Sequence, residues 1–365
     1  MFRISALLWL GLAVFFVNAD ITVPVSPAPT YPGSWQASIP VQHWQQQQRQ
    51  FYLNALLAPA ATPLAEAQML QQEDRGNYQA ELWQIPLSRI SHSKALLLTP
   101  KHQPIKAAVL LLHDHGAYFV IGKEKMIRPF AGSAVKTEAQ HWVDKYYGGR
   151  FIGDELAEQG YLVLAADTLG FGERGPVLYE QQQQLAANLL VTGHSLAGLS
   201  AYEDMQLAQF LAQRPHVPKG KIAAIGFSMG AYRAWQVAAL SEHIQSAAAI
   251  CWFNTYQHLV QPGQNLTKGQ SSFYLLHPGL ARQLDIPDQL SLMAPKTLYL
   301  INGGQDPLMP VQGVIKGHSQ LKKVWQAHRA EQALRTEIWT EARHEFNQKQ
   351  QQQVWLWLEQ WQKQH

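Results

Sequence analysis

Short apolar stretches separated by turns begin at Tyr78 and predict the strands of a single sheet. One of them, 107–112, is apolar at every position, which is typical of a strand covered by helices on both faces. Amphipathic stretches alternate with the later strands, so we predict an α/β fold with a mostly parallel central sheet of about eight strands and helices on both faces. The predicted strands are 78–85, 94–99, 107–112, 161–166, 221–227, 246–252, 297–301 and 334–340, and the predicted helices are 148–158, 199–213, 231–240, 314–330 and 348–362.

The first nineteen residues differ in composition from the rest of the chain. Arg3 is their one charged residue, and the apolar run from Ile4 to Val17 is shorter than the roughly 20 residues that span a bilayer. Small residues at Val17 and Ala19 resemble a signal-peptidase site. We therefore predict a cleaved signal peptide over 1–19, a secreted or periplasmic protein, and no stable membrane insertion after cleavage. An uncleaved anchor and a buried helix are the alternatives.

A proline-rich arm at 23–40 and a glutamine-rich stretch precede the first predicted strand. We predict an N-terminal extended arm and helix over 20–77, packed on a catalytic α/β domain over 78–365. In such sheets, chemistry is found at the carboxyl ends of the parallel strands.

The composition narrows the class of partner. The chain is 47% hydrophobic and 15% charged, which is typical of a globular protein with a sizeable core. Lys and Arg total 29 against 26 Asp and Glu, and a net charge of +3 provides no strong field for nucleic acid or an anionic membrane. The single cysteine, Cys251, excludes an intramolecular disulfide, and its apolar neighbours predict a buried core thiol. We predict no nucleic-acid partner, and the oligomeric state stays open.

The strongest chemical signal is the sequence Gly-Phe-Ser-Met-Gly at 226–230, which lies between a predicted strand and a predicted helix. In that context G-x-S-x-G forms a sharp turn that exposes the serine hydroxyl at a helix N-terminus, so Ser228 is the predicted nucleophile. A similar sequence surrounds Ser195, but no apolar strand leads into it. We predict that Ser195 instead caps the helix that begins around Leu199.

A serine nucleophile needs a base and a group that orients the base, in the chain order Ser, acid, His. Asp306 follows the predicted strand 297–301, and His344 lies between the last strand and the last helix. We predict that His344 takes the Ser228 proton while Asp306 fixes its tautomer.

Acyl transfer also needs donors for the oxyanion. The backbone N–H of Met229 is one predicted donor, and the second is expected from the loop after 107–112. We favour the N–H of His115, with Gly116 and Ala117 as alternatives. The His-Asp-His sequence at 113–115 is also compatible with a metal site, but no third or fourth ligand is identifiable, so no metal is predicted.

With these motifs in place, the chain resembles the α/β-hydrolase superfamily, and within it the dienelactone hydrolase and acetyl xylan esterase-like branch. The resemblance covers roughly 94–362 and rests on the sequences at 113–117, 167–172, 226–230, 303–307 and 344–346. It implies a serine hydrolase without a cofactor that usually acts on carboxylic esters. Two departures are present: His113-Asp114 stands where the branch commonly has His-Gly, and Ser228 stands where true dienelactone hydrolases have cysteine, which favours ordinary esters.

The long segment 118–149 and the segment 253–279 are the predicted pocket walls. Arg128 is a candidate for holding a substrate carboxylate, Trp142 and Tyr147 for stacking on a sugar ring, and Tyr256 for facing the pocket. Loop packing and surface ion pairs are the alternative roles of these residues.

The predicted function is a secreted serine hydrolase that cleaves small-molecule or carbohydrate esters through an acyl-enzyme on Ser228, with carbohydrate deacetylation as one form. One alternative is a serine peptidase of the prolyl oligopeptidase type, although the chain before the first strand is too short for the propeller domain of such enzymes. The other is a non-catalytic binding protein on the same scaffold.

Overall fold

The computed structural model describes residues 30–59, 66–89, 91–175, 178–264, 266 and 270–364. The predicted signal peptide at 1–19 lies outside these residues, and so does the part of the predicted arm at 20–29.

Within the described chain, nine strands form one sheet in the order β1-β2-β3-β5-β4-β6-β7-β8-β9. The pairs β1–β2, β2–β3 and β3–β5 are antiparallel, and every pairing from β5 through β4 to β9 is parallel. The prediction of an α/β fold with a mostly parallel sheet is confirmed, with one strand more than expected. The strands are β1 Gln68–Asp74, β2 Tyr78–Pro86, β3 His92–Pro100, β4 Ala107–Leu112, β5 Tyr161–Ala166, β6 Ile222–Phe227, β7 Ser246–Ile250, β8 Thr297–Gly303 and β9 Leu334–Trp339.

Helices cover both faces of this sheet. Alternate residues of β4 belong to two separate cores, with Ala108 and Leu110 on one side and Val109 and Leu111 on the other. The continuous apolar sequence of β4 is therefore explained by burial on both faces. The helices are α1 Val41–Ala55, α2 Lys136–Tyr146, α3 Ile152–Glu158, α4 Tyr179–Val191, α5 Leu196–Ala212, α6 Met229–Leu240, α7 Tyr256–Leu259, α8 Ile286–Ser291, α9 Val311–Ala327 and α10 Gln348–Gln364.

The N-terminal part of the chain contacts the α/β body through helix α1 and strand β1, among other contacts. The Gln45 side chain on α1 donates to the backbone oxygens of Ser291 (3.0 Å) and Ala294 (2.8 Å). Strand β1 pairs with β2, so the predicted boundary between 20–77 and 78–365 falls inside a β-hairpin. The sequence did not indicate β1 because six of its seven residues are exposed and most are polar, which leaves no apolar alternation.

Two predictions about single residues are confirmed by the fold. The Ser195 hydroxyl accepts the Gly198 N–H at 2.9 Å and caps α5, which begins at Leu196. Cys251 is completely buried beyond the end of β7. Among the described residues, no helix combines the length and apolar character needed to cross a bilayer.

A buried ion pair joins α6 to α5. Arg233 donates to the two carboxylate oxygens of Asp204 at 2.9 and 2.6 Å, and both side chains are almost inaccessible to solvent. Because α6 begins directly after Ser228, this pair also anchors the helix that follows the predicted nucleophile.

We predict that Asp204→Ala lowers the free energy of unfolding by about 3–5 kcal/mol, because it leaves the Arg233 guanidinium buried without a counter-ion. Glu359→Ala, which breaks the exposed pair with Lys363, is the matched control and should leave stability unchanged. Denaturant unfolding of both variants measures the difference. Equal stability of the two variants would show that the buried pair does not anchor α6.

Candidate active site

Ser228 occupies a strained turn between β6 and α6. Its backbone angles are φ 56° and ψ −125°, which a non-glycine residue adopts only when the surrounding structure holds it there. The Ser228 N–H donates to the Ile250 oxygen at 2.9 Å, and the Ser228 oxygen accepts the Ala231 N–H at 2.8 Å. The turn therefore has its own backbone hydrogen bonds and does not depend on a ligand.

The two glycines of this turn are required by close backbone packing. A Cβ on Gly226 would collide with the backbone of Gly230, and a Cβ on Gly230 would collide with the carbonyl oxygen of Leu112 at the end of β4. In the sheet, Leu112 pairs with Gly226. The loop that follows β4 therefore starts directly beside the Ser228 turn.

The structure brings Ser228, His344 and Asp306 together. The Ser228 Oγ lies 2.8 Å from His344 Nε2, and His344 Nδ1 lies 2.8 Å from Asp306 Oδ2. The Asp306 carboxylate is inaccessible to solvent and its second oxygen accepts the Leu308 N–H at 2.8 Å, whereas the His344 side chain stays 18% exposed. This arrangement can accept the hydroxyl proton on Nε2 while the aspartate holds the proton on Nδ1.

Cys251 lies beside this group, and one potential metal-ligand atom from each of Cys251, Asp306 and His344 lies within 4.8 Å of the others. Burial raises the pKa of the Cys251 thiol to about 12, so without a metal ion the thiol is protonated. The facing atoms of Asp306 and His344 are already hydrogen-bonded to each other. The geometry therefore favours proton transfer over metal binding.

The loop after β4 presents candidate oxyanion donors. The Ala117 N–H donates to the Nδ1 of His115 at 3.1 Å, so it is already used. Within the described part of the chain, the N–H groups of His115, Gly116 and Met229 have no hydrogen-bond acceptor. Of the three alternatives for the second donor, Ala117 is therefore disfavoured, while His115 and Gly116 stay open.

The side chains of the His-Asp-His sequence are bonded to protein groups. His113 Nε2 accepts the Thr168 N–H at 3.1 Å, so its Nδ1 carries the proton that is donated to the Asp114 backbone oxygen at 2.9 Å. Burial lowers the pKa of His113 far below its usual value, so the ring is neutral. These hydrogen bonds hold the loop in place, and they occupy the His113 nitrogens that a metal ion would need.

Two of the predicted pocket residues lie beneath this loop. Trp142 and Tyr147 are buried, and both donate to the Oδ2 of Asp114, from the indole Nε1 at 3.2 Å and from the hydroxyl at 2.9 Å. Tyr118 stacks on Trp142 with a ring-centroid distance of 5.2 Å. Since both rings are buried, the predicted role in stacking on a sugar ring is wrong. The sequence could not show that the Asp114 carboxylate would accept hydrogen bonds from both side chains.

The other two predicted pocket residues also have protein partners. The Arg128 guanidinium lies 3.5 Å from the Asp154 carboxylate and 3.3 Å from the Tyr78 hydroxyl, so the alternative role in an ion pair describes it better than a role in substrate binding. The buried Tyr256 accepts a hydrogen bond from Gln289 at 3.1 Å.

An aromatic cluster surrounds the His115 ring and was not predicted. The rings of Phe119 and Phe171 lie 5.3 Å from it, Tyr274 lies at 5.8 Å, and the half-buried Tyr179 stacks at 5.9 Å. Burial lowers the pKa of His115 to about 4, so this imidazole is neutral at ordinary pH. The rings come from segments that are distant in the sequence. Only Phe171, in the loop directly after β5, lies at a position from which the sequence indicated proximity to the site.

The chain is similar to several known proteins. Over 218 residues the chain is 30% identical to YtaP of Bacillus subtilis (strain 168), a hydrolase by name alone, and the match spans 60% of this chain and 66% of that protein, slightly less than two thirds of its length. A Bacteroides fragilis NCTC 9343 structure assigned by name as an acetyl xylan esterase aligns with a TM-score of 0.68 at 18% identity, over 86% of this chain and 80% of the other. The glucuronoyl esterase from Solibacter usitatus aligns with a TM-score of 0.65 at 15% identity, over 91% and 98%.

These two structural likenesses concern the fold alone, because their sequence identities are low. The family model for the dienelactone hydrolase family matches residues 146–362, a region that includes Ser228, Asp306 and His344. The chain belongs to the dienelactone hydrolase family.

Proposed function

We propose that the protein is a serine carboxylic ester hydrolase that forms an acyl-enzyme on Ser228. The observation that carries this proposal is the continuous hydrogen-bonded series from Ser228 Oγ through His344 to Asp306, with both distances at 2.8 Å, on a strained strand-to-helix turn. The predicted leader at 1–19 supports a secreted or periplasmic location for the enzyme.

In the proposed mechanism, His344 Nε2 accepts the Ser228 proton as Oγ attacks the ester carbonyl carbon. The carbonyl oxygen becomes an oxyanion, which accepts hydrogen bonds from the Met229 N–H and from the His115 N–H, with Gly116 as the neighbouring alternative. Collapse of the tetrahedral intermediate breaks the bond to the alcohol, which leaves with the proton from His344. A water molecule then repeats the attack on the acyl-enzyme, and the acid is released.

The proposed substrates are small-molecule or carbohydrate esters. The first turn of α6 places a helix N-terminus at Ser228, where negative charge that develops in the reaction is favoured. The half-buried Tyr179 ring, which stacks on the neutral His115 imidazole, adds an apolar surface next to the loop after β4. The two proteins of similar fold are named as an acetyl xylan esterase and a glucuronoyl esterase, so carbohydrate esters are the first class to test.

We predict that the protein hydrolyses short-chain esters, tested from acetate to octanoate, and that Ser228→Ala abolishes this activity because no other group replaces the nucleophile. Ser195→Ala is the matched control, since that serine lies in a similar sequence but caps α5. The control should keep its turnover while losing about 1 kcal/mol of stability. Initial rates on the ester panel measure both effects.

Hydrolysis that survives in Ser228→Ala would refute the proposed nucleophile. If the folded wild-type protein hydrolyses none of the esters, labelling with a fluorophosphonate distinguishes an enzyme with another substrate from a binding protein. A peptidase or a very selective esterase would be labelled on Ser228, whereas a binding protein would not be labelled.

We also predict that Asp306→Asn lowers kcat by about 10⁴-fold, because an amide at this position no longer holds the His344 tautomer that accepts the serine proton. Asp144→Asn, on the exposed surface of α2, is the control and should have no effect. Steady-state kinetics with an acetate ester measure the change. A kcat within about threefold of wild type in Asp306→Asn would contradict the assigned role of Asp306.

A further inference from the structure

A lysine is completely buried beneath the loop that follows β4. The Lys125 side chain has no exposure to solvent, and its ammonium donates to the backbone oxygens of Asp114 and His115, both at 2.9 Å. The same ammonium lies 4.6 Å from the centroid of the Trp142 ring and 4.9 Å from that of Phe171. A charged group is costly to bury, so such a position requires specific compensation.

Groups of the loop after β4 offset the cost of burying the Lys125 ammonium. The Asp114 carboxylate lies 3.6 Å from the Lys125 ammonium and is held in place by Trp142 and Tyr147. Burial lowers the pKa of Lys125, and the Asp114 charge acts in the opposite direction. Two aromatic faces and two carbonyl oxygens complete the surroundings of the cation.

These contacts fix the direction of two peptide groups. In a planar trans peptide, the C=O and the N–H point in opposite directions. Because the oxygens of Asp114 and His115 both point at Lys125, the N–H groups that follow them, those of His115 and Gly116, point away from it. Within the described part of the chain, neither of these two N–H groups has a hydrogen-bond acceptor.

We propose that Lys125, together with Asp114, is a positioning residue that holds and polarises the oxyanion-binding loop. This inference rests on the proposed esterase function. The ammonium binds the carbonyl side of the peptides 114–115 and 115–116, so that the N–H side faces the oxyanion formed at Ser228. Hydrogen bonds along such a chain polarise one another, which strengthens the N–H donors at the far end. His113 adds a second donor to the Asp114 oxygen.

The test compares Lys125→Met with the wild-type protein on an acetate ester. Methionine keeps the length and the packing between the rings but removes the charge and all three donors. We expect kcat to fall about 100-fold with KM changed less than about threefold, because the loop contributes to binding the oxyanion rather than the ground state. Lys145→Met is the matched control, since Lys145 contacts the Tyr146 ring at 5.0 Å from an exposed position.

A second readout separates positioning from a purely structural role. A trifluoromethyl ketone forms a tetrahedral adduct with a nucleophilic serine, and its inhibition constant should weaken in Lys125→Met by the same factor as kcat/KM. A loss that reflects only a smaller folded fraction would leave the inhibition constant and KM unchanged, and that result would overturn the proposal. A kcat within about threefold of wild type would also overturn it.

If Lys125→Met does not fold, Tyr147→Phe decides the question, because it removes one donor to Asp114 and leaves the cation in place. We expect about a tenfold loss in kcat with a parallel weakening of the inhibitor. An unchanged kcat in Tyr147→Phe would then refute the proposal. A wild-type protein that neither hydrolyses esters nor reacts with a fluorophosphonate would instead refute the proposed function, so the two failures are distinguishable.

Discussion

The site depends on the close approach of two backbones. The carbonyl oxygen of Leu112 at the end of β4 occupies the space that a side chain on Gly230 would need, in the first turn of α6. This packing fixes the strained conformation of Ser228 relative to the loop that begins at His113. A backbone of this kind costs about 1–3 kcal/mol per strained residue and persists only where the surrounding structure enforces it. The parallel sheet supplies that enforcement through the Ser228 N–H, which donates to Ile250 at the end of β7.

The same sheet sets the positions of the other two groups. Asp306 follows β8 and His344 follows β9, and β7, β8 and β9 are adjacent and parallel, so their carboxyl ends meet at one edge. The two 2.8 Å hydrogen bonds follow from this arrangement. On the other side of Ser228, the loop after β4 has no sheet partner beyond Leu112 and is held by buried polar groups instead.

The parts of the molecule that obey local rules could be predicted from the sequence. The strand at 107–112, the turn at Ser228, and the positions of Asp306 and His344 after strands all follow from short-range patterns. Strand β1 was missed because its mostly polar, glutamine-containing sequence shows no apolar alternation.

The predicted role of Trp142 and Tyr147 in stacking on a sugar ring is wrong for a different reason. Trp142 and Tyr147 carry the aromatic rings expected of a sugar-binding surface, yet both donate to Asp114 in the interior. A residue's type indicates what it can contact, but only the three-dimensional structure shows that a nearby buried carboxylate takes both donors.

The region matched by the family model begins at residue 146, so the loop after β4 and its buried lysine lie outside it.

The central claim is that Ser228 carries the acyl group during turnover. The most direct measurement is acid quenching of the protein during hydrolysis of an ester, followed by mass spectrometry of its proteolytic peptides. We expect an acyl group on the peptide that contains Ser228, and none on the corresponding peptide of Ser228→Ala, which lacks the nucleophile. Steady hydrolysis by the wild-type protein with the acyl group on another residue would contradict the account.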